Sequence, residues 1–316
     1  MPHKHHIAVP VASLHTTPDS RGEVCTQHLY GQPVQVLENQ KEWSFIETAD
    51  PYRGWTHRSN LTIAPYAPNG RVTSLLAHVY AVKDTTPHPP LLTLSFDTPL
   101  QIIAGEDPRW FALTLIDGQT GWIHRGDVEI GRSRLSLEQM LTFSQRFQGL
   151  PYTWGGNSAH GYDCSAFVQM LYRQMGIPLP RDAKDQINSP HLQTRQGPPQ
   201  PGDLLFFGQP GFAHLSTKSS SFSPAVNELN ENMRVGWNTT YFHSIVHTQE
   251  RKRISGTTWA NPGQQKITHV ALALSPSHFI HACVGIQGQP ATIRISTLNE
   301  SYFNERLAHT KRKIQR

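Results

Sequence analysis

Hydrophobic and polar positions follow two different rhythms along this chain. Up to about residue 130, apolar residues alternate with polar ones in short runs, such as Pro33-Val-Gln-Val-Leu37 and Pro99-Leu-Gln-Ile-Ile103, with Gly, Pro and Asp turns between them. That period of two predicts short half-buried strands. After Ile130 a helical period takes over. Ser136-Leu-Glu-Gln139 is a capping-box signal, Leu137, Met140, Leu141 and Phe147 share one helical face, and Gly149 is placed to stop the helix. A second helix is predicted from Cys164, where Phe167, Val168, Leu171, Tyr172 and Met175 recur at helical spacing before Gly176. Extended runs follow at Asp203–Phe207, His269–Leu274, Phe279–Cys283 and Thr292–Leu298. Helices first and strands afterwards describe an α+β domain.

The first rhythm is written twice. Residues 54–61 read Gly-Trp-Thr-His-Arg-Ser-Asn-Leu and residues 121–128 read Gly-Trp-Ile-His-Arg-Gly-Asp-Val. Trp43 lies twelve residues before Trp55, and Trp110 twelve before Trp122, so matched anchors recur at a period of 67 residues. Two copies of one small β module are expected, each a compact barrel. Core packing is the plain reading of the tryptophans.

Composition narrows the class. With 37% hydrophobic residues, 24 prolines and 23 glycines in 316 residues, the chain suits two or three loop-rich domains rather than a helical bundle. It holds no eighteen-residue apolar run, so no membrane insertion is expected. Ile7–Leu14 makes a poor signal peptide, and Cys25, Cys164 and Cys283 form no disulfide framework. Both point to the cytoplasm, or to a periplasmic or secreted site if a leader has been removed. A net charge of +5 is spread out, dense only at Arg251-Lys252-Arg253 and Lys311-Arg312-Lys313, which leaves no nucleic-acid footprint. The eighteen histidines show no metal-ligand spacing, and neither metal nor cofactor is expected.

The candidate chemistry centres on Cys164. A glycine-rich loop, Tyr152-Thr-Trp-Gly-Gly156, leads to Asp163-Cys-Ser-Ala-Phe-Val168, putting the thiol at a helix N-terminus. Unpaired N–H groups and the helix dipole there are expected to lower its pKa. A thiolate nucleophile also needs an imidazole base and a third polar group to fix its tautomer. His269 opens one predicted strand and His281 lies in the next, and a tight hairpin around Ser275–His278 would bring both to one end of a sheet. Asp163 also suits a helix N-cap. Cys283, on the face shared with His281, reads as a small buried residue. His278 and His247 read as surface or loop residues, and His214 is rejected as the base because no hairpin with a second histidine follows it.

The ordered motifs Tyr-x-Trp-Gly-Gly, Asp-Cys-Ser-x-Phe-Val, Pro-Arg-Asp, Gly-Asp-Leu-x-Phe-Phe, His-Val and Phe-Ile-His-Ala resemble those of the NlpC/P60 cysteine peptidases, over about 148–210 and 266–300. The resemblance implies a papain-like catalytic domain over 131–316, carrying an insert at 209–266, behind SH3-like barrels at 1–65 and 66–130. It makes Cys164 the nucleophile, His269 the base, His281 the orienting third member and Tyr152 an oxyanion donor. With two SH3-like modules in front, the chain is similar to the γ-D-glutamyl-L-diamino acid endopeptidases of murein recycling. In that group the first module recognises the free amine of the substrate's L-Ala, which here would fall to Tyr52 and Glu23. Asp163, Ser165, Trp154, Arg181 and Asp182 join them as substrate-binding residues. Ala183 stands where the family often carries serine.

The implied activity is hydrolysis of the γ-D-Glu–diamino acid bond in murein stem peptides with a free N-terminal L-Ala. A papain-like amidase or acyltransferase, and a non-catalytic cell-wall-binding protein, are the alternatives. The insert, with Trp237, Tyr241, Phe242 and Trp259 as anchors, reads as a flap beside the site or as a remote embellishment.

Overall fold

A computed structural model describes residues 4–208, 266–286 and 288–314, so the insert and its four aromatic anchors, with His214 and His247, lie outside the described residues. The described residues belong to one compact unit and are strand-rich.

The first β module contains β1 (His5–Ile7), β2 (Val11–His15), β3 (Val24–Leu29), β4 (Pro33–Gln40), β5 (Trp43–Thr48), β6 (Arg53–His57) and β7 (Leu61–Ile63). They form a seven-stranded sheet in the order β3-β2-β6-β5-β4-β1-β7. The second contains β8 (Gly70–Val72), β9 (Leu76–Val79), β10 (Leu92–Ser95), β11 (Pro99–Ile103), β12 (Trp110–Thr114), β13 (Thr120–His124) and β14 (Val128–Ile130). Its order is β10-β9, then β13-β12-β11-β8-β14, the two parts joined by a Tyr80–Trp122 bridge. Strand for strand, the two orders are the same. The register repeats too: Trp43 pairs with His57, and Trp110 with His124.

The repeated Gly-Trp works differently from a core anchor. In β6 and β13 the buried positions are Gly54 and Thr56, and Gly121 and Ile123, while Trp55 and Trp122 are half-buried on the outer face. A side chain at position 54 would collide with Leu14 Cβ at 2.9 Å, and one at 121 with Val79 Cγ1 at 2.5 Å. The glycine is what the packed inner face of the sheet needs. Trp55 lies against Phe45 on the outside, ring centroids 5.1 Å apart, and the Lys83 ammonium sits 4.4 Å above Trp122. Of the four repeat tryptophans, Trp110 alone is buried, stacked on His124 at 3.9 Å.

Beyond Ile130 come α1 (Leu137–Ser144), β15 (Asn157–Ser158), β16 (Gly161–Tyr162), α2 (Cys164–Gln174) and α3 (Ala183–Gln186). The Ser136/Gln139 capping box starts α1. A six-stranded antiparallel sheet follows, ordered β17 (Leu192–Thr194), β22 (Leu307–Lys313), β18 (Leu204–Gly208), β19 (Ile267–Ala273), β20 (His278–Cys283) and β21 (Thr292–Thr297). Helix α2 packs on β19 and β20. Phe167, Val168, Leu171 and Tyr172 join Leu204, Phe206, Val270, Leu272 and Ile280 in the main core. The stretch Leu307–Lys313, whose basic end reads as a tail in the sequence, is an inner strand of this sheet. Arg312 Nε donates to the fully buried Asp203 at 2.7 Å, so a cation in β22 answers the acid of the Gly-Asp-Leu motif.

Candidate active site

Cys164 is the first residue of α2, and the buried Asp163 caps that helix by accepting from the Ala166 N–H at 2.8 Å. The Val270 backbone lies close to the Cys164 sulfur, which sets the thiol near the strand that carries His269. His269 Nε2 lies 2.8 Å from His281 Nδ1, and His281 Nε2 lies 3.1 Å from Ser296 Oγ. The hairpin that joins β19 to β20, with Leu272 opposite Ile280, makes this meeting possible. For His269 Nδ1 to be free as a base, its proton must sit on Nε2 and be donated to His281. His281 then donates from Nε2 to Ser296. Ser296, on β21, is a member that no sequence motif announces.

Electrostatics correct one expectation. Burial, and then the negative charge of Asp163, push the Cys164 thiol up to about 12, and the backbone N–H of Val270 only partly offsets this. Burial pushes His269 down to about 4 with help from Arg294, and holds His281 well below its ordinary value. At rest Cys164 is therefore a protonated thiol and His269 a neutral imidazole. Helix-dipole stabilisation of a free thiolate is outweighed, and the base must take the proton as sulfur attacks. Tyr152 is half-buried, and burial together with the neighbouring Cys164 and Asp163 raises its pKa, so it remains an O–H donor.

Among the candidate substrate-binding residues, Asp163, Ser165 and Arg181 are tied to one another next to Cys164. Arg181 is buried, and its guanidinium donates to Asp163 at 2.6 and 3.0 Å, to Ser165 Oγ at 3.0 Å and to Thr26 Oγ1 of the first β module at 2.8 Å. In this structure their side chains are engaged with one another. Gln186 of α3 reinforces the same point, donating at 2.9 Å to the Ser165 carbonyl.

Glu23 and Tyr52 of the first module each reach a residue beyond Ile130, Trp154 and Asp182 respectively. Tyr52 Oη donates to Asp182 at 3.2 Å, and Trp154 Nε1 donates to Glu23 at 2.8 Å. Trp154 is 53% exposed and Glu23 is exposed, leaving an open aromatic face and a carboxylate at the junction. The Trp-Gly-Gly sequence allows this approach, because a side chain at Gly155 would meet the Val24 carbonyl at 2.5 Å, and its φ is +70°. Gln27 also clamps the loop, its side chain accepting from the Asn157 N–H at 3.1 Å. His278 is exposed at the hairpin, bonded to Ser275 and Ser277.

Residues 149–218 match the NlpC/P60 family, and residues 14–61 match the bacterial dipeptidyl-peptidase Sh3 domain. The chain carries an NlpC/P60 domain behind a bacterial SH3 domain. A γ-D-glutamyl-L-lysine dipeptidyl-peptidase of Bacillus cereus is 29% identical over 207 residues, 58% of this chain and 59% of that protein. One of the same name from Bacillus subtilis is 31% identical over 58% of this chain and 63% of its own length. The matches thus span about three-fifths of those two relatives. Dipeptidyl-peptidase 6 of Lysinibacillus sphaericus is 27% identical, over 70% of this chain and 90% of that protein. In fold, the chain is similar to the crystal structure of an NlpC/P60 family protein from Bacillus cereus, with TM-score 0.72 and 21% identity across 99% of this chain and all of the other. Cys164 falls within the NlpC/P60 match, Glu23, Thr26 and Tyr52 fall within the SH3 match, and His269, His281 and Ser296 lie beyond both.

Proposed function

We propose that this chain is a cysteine endopeptidase that hydrolyses the γ-D-Glu–diamino acid bond of murein stem peptides bearing a free N-terminal L-Ala. The observation that carries the reading is the imidazole pair at 2.8 Å, anchored on Ser296, on the strands that pack against the Cys164 helix. Sulfur attacks the scissile carbonyl as His269 Nδ1 takes the thiol proton. The resulting imidazolium donates from Nε2 to His281, which holds its Nε2 proton on Ser296. The oxyanion is met by the Cys164 N–H, one of the unpaired donors at the helix start, and by Tyr152. His269 returns the proton to the leaving amine, and water then hydrolyses the thioester.

The substrate end of this reading rests on Glu23, Tyr52, Trp154 and Asp182. An ammonium leaving water needs carboxylates and an aromatic face in exchange, and those four residues supply both kinds of group. The names of the Bacillus relatives are in keeping with a γ-D-glutamyl bond, and leave the choice between lysine and diaminopimelate to the substrate assay.

On this reading the two β modules, 1–65 and 66–130, are a pair of SH3-like barrels, and 131–316 is a papain-like α+β domain. The matched strand orders and registers favour the first assignment, and α2 packed across an antiparallel sheet the second. Free thiols at Cys25, Cys164 and Cys283 suit a reducing compartment, and so action on free peptides in the cytoplasm.

The test is digestion of L-Ala-γ-D-Glu-diaminopimelate beside its N-acetylated form, followed by mass spectrometry. Cleavage at the γ-D-Glu carbonyl in the free-amine peptide alone is expected, with Cys164→Ala folded and inactive. Equal cleavage of both peptides removes the amine-recognition role, and no cleavage of either removes the substrate.

A further inference from the structure

We propose that His269, His281 and Cys283 together form a binding site for a thiophilic divalent cation such as zinc, and that its occupation switches off the base of the nucleophile. The three ligand atoms lie within 4.8 Å of one another. Zinc bonds of about 2.0–2.3 Å to nitrogen and sulfur place tetrahedral ligands roughly 3.3–3.8 Å apart. Side-chain shifts of about an ångström close the cluster, opening the His269–His281 hydrogen bond as they do so. Two imidazoles and one thiolate are a borderline-soft set that suits zinc and discriminates against magnesium and calcium.

The fold prepares this site from both strands. His281 and Cys283 are two residues apart on β20, so they face the same side. The register that sets Leu272 opposite Ile280 brings His269 opposite Cys283 when carried toward the open end of the hairpin. His281 and Cys283 are 0% and 3% exposed. Phe207, Phe279 and Phe303 ring the pair of histidines, with centroids 4.9–5.6 Å from the imidazoles they face. Ser296 holds His281 by Nε2 and leaves Nδ1 turned inward, the arrangement in which a ligating histidine is oriented by a partner on its other nitrogen. Among the described residues, Arg294, paired with His281 across β20 and β21, is a charge that opposes a cation. Binding converts Cys283 to a thiolate and releases its proton to solvent, which supplies the compensating negative charge. The spacing of ligands along the chain hides the site, because one histidine comes from each strand of a hairpin.

The consequence for His269 does not depend on which of its nitrogens the metal takes. If Nδ1 binds, its lone pair is used. If Nε2 binds, the neutral ring carries its proton on Nδ1. In both cases Cys164 has no acceptor for its proton. This inhibition rests on the peptidase reading, whereas the binding itself does not, and the experiment separates the two.

In the Cys164→Ala protein, which lacks the nucleophile, competition with a chromogenic chelator is expected to show one tightly bound Zn2+ per chain. Adding Cys283→Ala should weaken that binding by about tenfold or more. Co2+ should give a sulfur-to-metal charge-transfer band in the first protein and none in the second. Cys283→Ser, nearly isosteric, serves the same purpose should the alanine variant fail to fold. With Cys164 intact, Zn2+ should inhibit hydrolysis reversibly by chelation, and the inhibitory concentration should rise about tenfold in the Cys283 variant, each measured against its own metal-free rate. No zinc on the Cys164→Ala chain, or equal affinity without Cys283, overturns the site. Zinc bound with no inhibition overturns the switch, and an intact chain inactive without metal overturns the peptidase reading alone.

Discussion

The two β modules share strand order and register but hold opposite ends of the same helix by different means. The first reaches the N-terminal end of α2 and its loop through polar side chains: Thr26 to Arg181, Gln27 to Asn157, Tyr52 to Asp182, Glu23 to Trp154. The second holds the C-terminal end. Its Asp97 accepts from Arg71, Arg132 and Arg173, Arg71 also reaches Gln174, and Phe96 is buried in the core of the NlpC/P60 domain. Where the first module has Tyr52, just ahead of its Gly-Trp strand, the second has the exposed Gln119, 67 residues on. One architecture thus serves twice, through polar tethers at the start of α2 and as a charged and apolar brace at its end. What separates them is which edge side chains are kept.

The largest effects should come from the buried carboxylate at each end. Asp163→Asn keeps a helix-capping side chain but leaves Arg181, 2% exposed at its side chain, without its anion. Asp97→Asn leaves three arginines around a neutral amide. Breaking a buried pair costs about 3–5 kcal/mol, and both variants should lose about that much in urea denaturation. Only Asp163→Asn should also lower kcat/KM per folded molecule. If Asp97→Asn lowers it equally, the second module is more than a brace.

Sequence reading captures what is local and periodic. The capping box, the Cys164 helix and the repeat each depend on residues a few positions apart, and each is legible. The partners of the site are not. Ser296 completes the imidazole chain from the far side of β21, Thr26 and Gln27 reach in from another module, and Arg312 answers Asp203 from a strand that reads as a basic tail. Such pairings become visible only once strands are in register. The thiol's raised pKa is hidden for the same reason: a helix start can be read from sequence, but burial beside Asp163 cannot. The Gly-Trp strand is ambiguous for a different reason, since alternation fixes two faces without saying which one is inside.

Acid should separate the modules next. His28 and His6 of the first module are buried, and burial lowers both pKa values, as it does for His281 in the catalytic sheet. No histidine of the second module is buried among the described residues. A histidine held neutral in the fold takes up a proton on unfolding once the pH drops below about 6.5. Stability therefore falls with acid, by up to about 1.4 kcal/mol per pH unit for each group, until the folded pKa is reached. For Asp97, burial alone would raise the pKa, and the charges of Arg173, Arg132 and Arg71 outweigh it. Its contribution survives to below the ordinary carboxylate range. Between pH 6.5 and 4.5, amide exchange should quicken in the first module before the second, and His28→Gln should flatten the slope. Simultaneous loss in both would break the contrast.

At the substrate edge, Tyr52→Phe removes one hydroxyl from Asp182 and leaves the ring in place. A hydrogen bond to a charged partner is worth about 1.5–3 kcal/mol, so KM for the free-amine peptide should rise at least about tenfold with kcat little changed. Gln119→Ala at the equivalent position should change neither. A KM effect from Gln119 would mean that both modules face substrate.

Glu23→Gln is the mildest and most selective change. The amide oxygen can still accept from the Trp154 indole, so the loop stays tethered and only the charge is lost. Because Glu23 is exposed, its attraction for an ammonium is weak and screened by salt. KM should rise by a few-fold at low ionic strength, and wild type and variant should converge as salt is added. An N-acetylated peptide should not distinguish the two at any salt. A salt-independent difference would show that the Glu23 charge does not act by attracting the substrate ammonium.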